Sequence, residues 1–403
     1  MIPKLAPFVV CMVARACFHE KECVLKIRAL NVSVFELPAN TGRFQMEEIG
    51  QGARRRWVRR GAGQTTEQVH VLHVKTDEGI EGVCTVGDAR YTTMRPEDLE
   101  QLRLFAVGED PLERERLYQK LQAATRGMFT RPGWFGAFDN CLWDIVGKKT
   151  GQPVHGLLGR VRGHCPAYYN FNSGNKDTAV ADAKKAVAQG FIAVKDHFSG
   201  DADENIACFH AVRDAMGDDI DILHDAAGCA YSFYDAVRVG KALEYLRFGW
   251  FEEPLADRDQ VNLKKLCENL SIPILAPETL MHDVDLSAQW LISGATDMIR
   301  ANGRLGTTGL LKLAHLAEMH HANIELNGPG GLFGLVHAHL VCAISNTTYY
   351  EYFPNGSRDA RGREIGLLNP PVPEKGQITP PYNPGWGAEW DWGYFKKKRI
   401  GEF

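Results

Sequence analysis

Between Gly159 and Phe353 the sequence alternates short apolar runs with amphipathic stretches, one pair about every 25 residues, and few folds accommodate that rhythm. The apolar runs are "CPAYYNF", "FIAVKDHF", "DILHDAAG", "GWFEEPL", "IPILAPETL", "DMIRANG", "NIELNG" and "TYYEYF". Between them, apolar residues at helical spacing predict helices over "TAVADAKKAVAQG", 204–216, 233–246, 259–269, 284–293, 307–321 and 333–344. Strand–helix–strand units lay their strands parallel with one handedness. Eight such units close on themselves, so the spacing predicts an α/β chain with a (β/α)8-type barrel over 156–365.

The flanking segments follow other patterns. "VLKIRALNVSVFEL" and "EQVHVLHVKTDEGIEGVCTVG" are rich in β-branched residues, with a hairpin turn at Asp77-Glu78-Gly79. Between them "TGRFQMEEIGQGARRRWVRRGAG" reads as a long basic loop. Residues 96–150 are helical in pattern and end with Phe135, Phe138, Leu142 and Ile145 on one face. Sheet first and helices after it describe an α+β unit over 24–155. The tail 366–403 carries too many Trp and Pro residues to sit in water, and is expected to fold back on that unit. Residues 1–23 read as a disordered extension, because their apolar stretch is short and interrupted.

Composition narrows the function classes. The 403 residues are 44% hydrophobic and 24% charged, as in soluble globular proteins. A net charge of −4 gives no electrostatic basis for a nucleic-acid partner or a charged membrane surface. No apolar run is long enough to span a bilayer. Ten cysteines without a CxxC pair are expected to be buried thiols of a cytoplasmic protein.

The strand ends carry the chemistry, because barrel active sites are built at the strands' C-terminal mouth. "GWFEEPL" ends in two adjacent carboxylates, of which only one can share the interior face. Glu252 is that residue; Glu253 is expected to bond to neighbouring barrel residues. Asp225, Glu252 and Glu278 end strands three, four and five, 27 and 26 residues apart, one repeat each. Three carboxylates at equivalent heights repel one another unless a hard divalent cation, Mg2+ first, joins them. Strand two presents Lys195 and His197, strand six Arg300 and Asn302, strand seven Asn327, and strand eight Glu351.

"LHDAAG", "WFEEPL", "APETL", "VKDH" and "FDNCLWDIVGKKTGQPVHGLLGR" together resemble the enolase superfamily, in its mandelate racemase/muconate lactonizing enzyme-like group of acid-sugar dehydratases. The resemblance runs from Val24 to the C-terminus and implies that the α+β unit caps the barrel. It also implies Mg2+-assisted removal of the proton α to a carboxylate, an enediolate, and dehydration of an aldonate or aldarate to a 2-keto-3-deoxy acid. Asp225, Glu252 and Glu278 would be the metal ligands and Lys195 the base, its pKa lowered by the cation beside it. His197 or Tyr169 would be the acid for the departing hydroxyl. Glu351 either hydrogen-bonds a substrate carboxylate in its protonated form or makes an ion pair at the barrel rim. The arginine-rich stretch, with Trp57, Arg59 and Arg60, would form a lid over the substrate, joined by Arg90. Relatives are commonly oligomers, which implies a homo-oligomer here.

One departure stands out. Where the group carries a His–Asp dyad on strands seven and six, this chain has Asn327 and Asn302. Carboxamides do not shuttle protons near neutral pH, so two-base racemisation is disfavoured and the asparagines, with Arg300, are expected to orient substrate. An epimerase, a cycloisomerase and a metal-binding homologue without catalysis are the alternatives. His337 and His339, inside the apolar run "LVHAHLVCA", are assigned to packing.

Overall fold

Long β-branched runs form a sheet before the first helix. In the computed structural model β1 (Ile27–Ala39) is followed by β2 (Phe44–Ile49), β3 (Arg56–Gly61), β4 (Thr65–Thr76) and β5 (Glu81–Gly87). The structure describes residues 25–39, 44–52, 55–61, 63, 65–87, 93–129, 131–171, 176–280, 283–354 and 359–403; residues 1–23 and Arg90 lie outside these. β1, β4 and β5 pair antiparallel, and Gly79, at φ 80°, turns the β4–β5 hairpin. Helices α1 (Pro96–Ala106) and α3 (Trp134–Thr150) pack against this sheet, and α2 (Arg114–Met128) packs against them.

The basic stretch is not a loop. β2 and β3 pair from Phe44↔Gly61 to Ile49↔Arg56 as a separate two-stranded ribbon. Such a ribbon needs one packed face to persist, and Val58, buried at 6%, supplies part of it. The charges that suggested a loop fall on both faces of the ribbon, Arg56 and Arg60 on the same face as Val58.

After the short α4 (Val154–Leu157) the barrel begins. Its eight strands are β6 (Cys165–Asn170), β7 (Ala193–Asp196), β8 (Asp221–Asp225), β9 (Phe251–Glu252), β10 (Ile274–Ala276), β11 (Met298–Ala301), β12 (Ile324–Leu326) and β13 (Tyr350–Tyr352). The helices between them are α5 (Lys176–Ala188), α6 (Ala202–Met216), α7 (Phe233–Tyr245), α8 (Gln260–Asn269), α9 (Val284–Ile292), α10 (Thr307–Met319) and α11 (Leu335–Ala343). The strands run parallel from β6 to β12, with β13 on the other side of β6. Side chains stitch the β12–β13 seam: Thr348 N–H donates to Glu325 at 2.9 Å and Gly328 N–H to Glu351 at 2.6 Å. Beyond the barrel, β14 (Gln377–Ile378) pairs with β6. α12 (Trp392–Lys398) then leads to β15 (Gly401–Glu402), which adds to the open edge of β1. Phe395 meets Phe35 edge-on at 4.7 Å, so the aromatic tail is held against the N-terminal sheet.

Alternation along the strands divides the barrel into two apolar layers. Tyr168, Ala193, Leu223, Trp250, Leu275, Met298 and Tyr349 fill the bottom of the interior, while residues such as Tyr169, Val194, Ile222 and Phe251 face the helices. α3 ties the N-terminal unit to the loop after strand six. Asn140 donates to Gly303 O at 2.9 Å and accepts from Thr307 N–H at 3.0 Å. Gly136 permits this approach, since a Cβ there would lie 1.7 Å from Arg304 O. Gly136→Ala should therefore lower stability by about 1–3 kcal/mol, the usual range for overpacking; a reduced urea midpoint at unchanged m-value would report it.

Candidate active site

Above the apolar floor the barrel interior becomes ionic. The same alternation that points Tyr168 inward brings Asn170, Lys195, Asp225, Glu252, Arg300, Asn327 and Glu351 to the inner face, all 5% exposed or less. Lys195 Nζ stands at the centre: 2.9 Å from Glu252 Oε2, 3.0 Å from Glu351 Oε1 and 3.1 Å from Asp225 Oδ2. Arg300 crosses from strand six, with Nη2 2.8 Å from Glu351 Oε2 and Nε 2.9 Å from Glu252 Oε1 and 3.4 Å from Glu278 Oε2. Its Nη2 also donates to the Tyr168 hydroxyl at 3.3 Å. Arg300, placed among substrate contacts by the sequence, is a fully buried clamp on carboxylates instead.

His197, two residues beyond Lys195 on the same face, occupies the mouth. Its side chain is 32% exposed and Nε2 lies 3.2 Å from Asp225 Oδ2. Nδ1 is buried without a hydrogen-bond partner among the described residues. Opposite, Asn302 donates to Asn327 O at 2.5 Å and accepts from Arg304 N–H at 2.8 Å, and Asn327 donates to Glu278 at 2.8 Å. The two carboxamides are thus tied to each other and to the third acid. His337 accepts from Gly303 N–H at 2.7 Å and His339 meets His155 at 3.0 Å, so both are packing residues.

Burial and charge together set the protonation of this cluster. Burial alone would lower Lys195, but Glu252, Glu351, Tyr168 and Asp225 around it hold its pKa well above the usual lysine value. Burial would raise Glu351; Arg300, Lys195 and the Gly328 N–H outweigh it and keep the group well below the carboxylate range. Glu351 stands in the barrel interior, ion-paired with Lys195 and Arg300, and not at the rim. Asp225 is also held low, by Lys195 and His197 against burial. Glu252 goes the other way: burial, helped by Asp225 and Glu278, pushes it up to about 8 despite Arg300 and Lys195. Glu253, one residue past β9 at φ 45°, joins the acids; burial and the nearby Glu278, Asp225, Asp257 and Glu252 raise its pKa well above the ordinary value.

Several expected residues stand elsewhere. Tyr169 faces the helix layer, its ring 5.3 Å from Phe191 and 6.2 Å from Tyr352, because its neighbour Tyr168 takes the inward position. Arg60 is paired with Glu47 at 2.6 Å, Arg59 lies over the Phe44 ring at 4.5 Å, and Trp57 is 57% exposed. These contacts lie within the ribbon; Arg55 and Arg56 of the same segment line a 460 Å³ pocket with Asp201, Cys229 and Tyr231. Asn170 was missed by the sequence reading. It ends strand one, donates to Glu351 Oε1 at 3.3 Å, and its own Oδ1 is buried with no partner among the described residues. The inward alternation from Tyr168 was the signal that could have found it.

Among the described residues, no three His, Cys, Asp or Glu side chains converge on one point as they stand. Lys195 and Arg300 hold the oxygens apart. The donor set still suits a hard cation: Asp225, Glu252 and Glu278 bring three carboxylates together beside Lys195 and Arg300. Glu252 Oε1, close to Arg300, has no hydrogen bond to it.

The chain's relatives agree with this architecture. Residues 57–159 match the family described as the mandelate racemase/muconate lactonizing enzyme N-terminal domain, and residues 178–394 that described as enolase C-terminal domain-like. A D-gluconate dehydratase of Thermoproteus tenax is 30% identical over 275 residues, spanning 62% of this chain and 53% of that protein, about half its length. A D-galactonate dehydratase of Verminephrobacter eiseniae is 28% identical over 345 residues, covering 79% and 87% of the two chains. The crystal structure of D-glucarate dehydratase from Agrobacterium tumefaciens complexed with magnesium superposes with a TM-score of 0.78 at 27% identity, over 93% of this chain and 99% of that one. With the C-terminal match alone taking in more than half of its residues, the chain belongs to the enolase superfamily, in its mandelate racemase/muconate lactonizing enzyme-like group.

Proposed function

We propose that this protein is a Mg2+-dependent hydro-lyase that converts an aldonate or aldarate to its 2-keto-3-deoxy acid. The observation that carries the reading is the ionic cluster of the barrel interior, where Asp225, Glu252 and Glu278 bring together three carboxylates, the oxygen donors a hard divalent cation takes. Asp225, Glu252 and Glu278 would hold that ion, and when bound it supplies Lewis-acid stabilisation of charge developing on the substrate carboxylate. Names of relatives support the substrate class: gluconate, galactonate and glucarate dehydratases are all acid-sugar enzymes.

The proton carrier in this proposal is His197 rather than Lys195. A base must be neutral to accept a proton, and Lys195 is 1% exposed with three carboxylates around its ammonium. Lys195 is better suited to hold those carboxylates and a substrate oxygen. His197 sits at the mouth with a ring nitrogen that has no hydrogen-bond partner among the described residues. Its imidazole would take the α-proton; the C–H electrons form the C=C bond as the β-C–O bond breaks. The departing hydroxyl takes the proton back from the imidazolium and leaves as water, and the enol tautomerises to the keto acid. Asn302 and Asn327 would orient the substrate's hydroxyls.

The test is a panel of aldonic and aldaric acids incubated with Mg2+, with the keto product read by semicarbazide absorbance. Product that EDTA abolishes is expected. Exchange of the α-hydrogen into solvent without keto acid would instead identify an epimerase. Metal binding should also depend on pH. Glu252, with a raised pKa near 8, holds a proton that the cation must displace. Mg2+ affinity should therefore rise with pH up to about 8, by at most about tenfold per unit for one released proton. Calorimetry in two buffers of different ionisation enthalpy would count that proton.

A further inference from the structure

Behind His197, on the helix-facing side of the same strand, lies a buried polar network the proposed chemistry does not use. Asp196 and His224 are both 0% exposed, and Asp196 Oδ1 accepts from His224 Nδ1 at 2.7 Å. The same oxygen accepts from Phe198 N–H at 3.0 Å. The Cys229 thiol, 1% exposed, donates to Phe198 O at 2.9 Å. Asn205 donates to the Cys229 sulfur at 3.3 Å and closes the loop by accepting from Gly200 N–H at 3.1 Å. Both backbone polar groups of Phe198, the residue after His197, are thus held by side chains. One comes from strand two itself and the other from the loop after strand three.

Backbone groups leaving a strand ordinarily turn to water or to a neighbouring strand. Here they are fixed from behind, on the side opposite the substrate. Cys229 also belongs to the loop that begins at Asp225, where Ala227 N–H donates to Asp225 Oδ1 at 3.0 Å. The network therefore links the backbone under His197 to the backbone under its carboxylate partner. We propose that Asp196 and Cys229 are positioning residues that set the His197 imidazole against Asp225. The inference rests on His197 being the proton carrier.

The test compares Cys229→Ala with Cys229→Ser, since a hydroxyl can still donate to Phe198 O and an alanine cannot. Cys229→Ala should lower kcat by about 10- to 100-fold at little change in KM, the scale of effect a displacement of about 1 Å has on a reacting group. Cys229→Ser should recover most of it. Independently of turnover, the His197 ring resonances in the metal-free protein, assigned with His197→Asn, are expected to be dispersed in the native protein and in Cys229→Ser. In Cys229→Ala they should move toward random-coil positions, while the melting curve stays cooperative. Equal ring resonances in all three proteins would overturn the proposal, as would Ser and Ala variants that lose kcat together. A native protein that turns over no sugar acid would count against the dehydratase reading alone, because the resonances are still read.

Discussion

His197→Asn should lower kcat for the sugar acid by about 100- to 10,000-fold, the range for removing a general acid–base group, while the melting temperature changes little. The small structural effect follows from position: the side chain is 32% exposed and, among the described residues, its one ion pair is with Asp225. The large kinetic effect follows from the two jobs proposed for one imidazole, taking the α-proton and returning it to the departing hydroxyl. Steady-state rates by the semicarbazide assay, with a thermal melt as control, separate the two. Activity retained within about threefold would return the base role to Lys195, the assignment the sequence suggested.

Arg300→Met should destabilise the metal-free protein by about 3–5 kcal/mol near neutral pH, the scale for leaving a buried charge without its partner. Methionine fills the volume but leaves Glu252 and Glu351 facing Lys195 alone. The pH dependence follows from Glu351, whose folded pKa is held below its unfolded value of about 4.3 by Arg300 and Lys195 against burial. A depressed carboxylate contributes stability above its unfolded pKa, and that contribution is lost as pH falls through the folded value. In the variant Glu351 regains a proton more readily, so the gap to the native protein should narrow below about pH 4. Urea unfolding at pH 7.5 and pH 4 measures both; a loss under 1 kcal/mol at neutral pH would show that Lys195 suffices.

The barrel was legible because each of its elements repeats one simple alternation. Strand-end residues from Lys195 to Glu351 were assigned to the inner face correctly, since face is a matter of parity along a strand. Depth is not. Lys195 and His197 share a face, but two residues separate them by roughly 6.6 Å along the strand, enough to seal one amine among carboxylates and leave the imidazole at the mouth. Arg300 was misread for the same reason. Tyr169 was an error of parity itself, one residue from the inward Tyr168. The β2–β3 ribbon was hidden because charged side chains fill most of its positions, and Val58 alone gives little periodic signal.

β15 completes the N-terminal sheet by pairing Glu402 with Ser33 and Gly401 with Val34. During synthesis this places the closing strand about 370 residues behind the edge it covers, a delay of roughly 20 to 70 seconds at about 5–20 residues per second. For that interval β1 presents unpaired backbone groups, the kind of edge on which chains aggregate. Yield in a cell should therefore respond to translation speed and chaperone supply more than the stability of the finished protein would suggest.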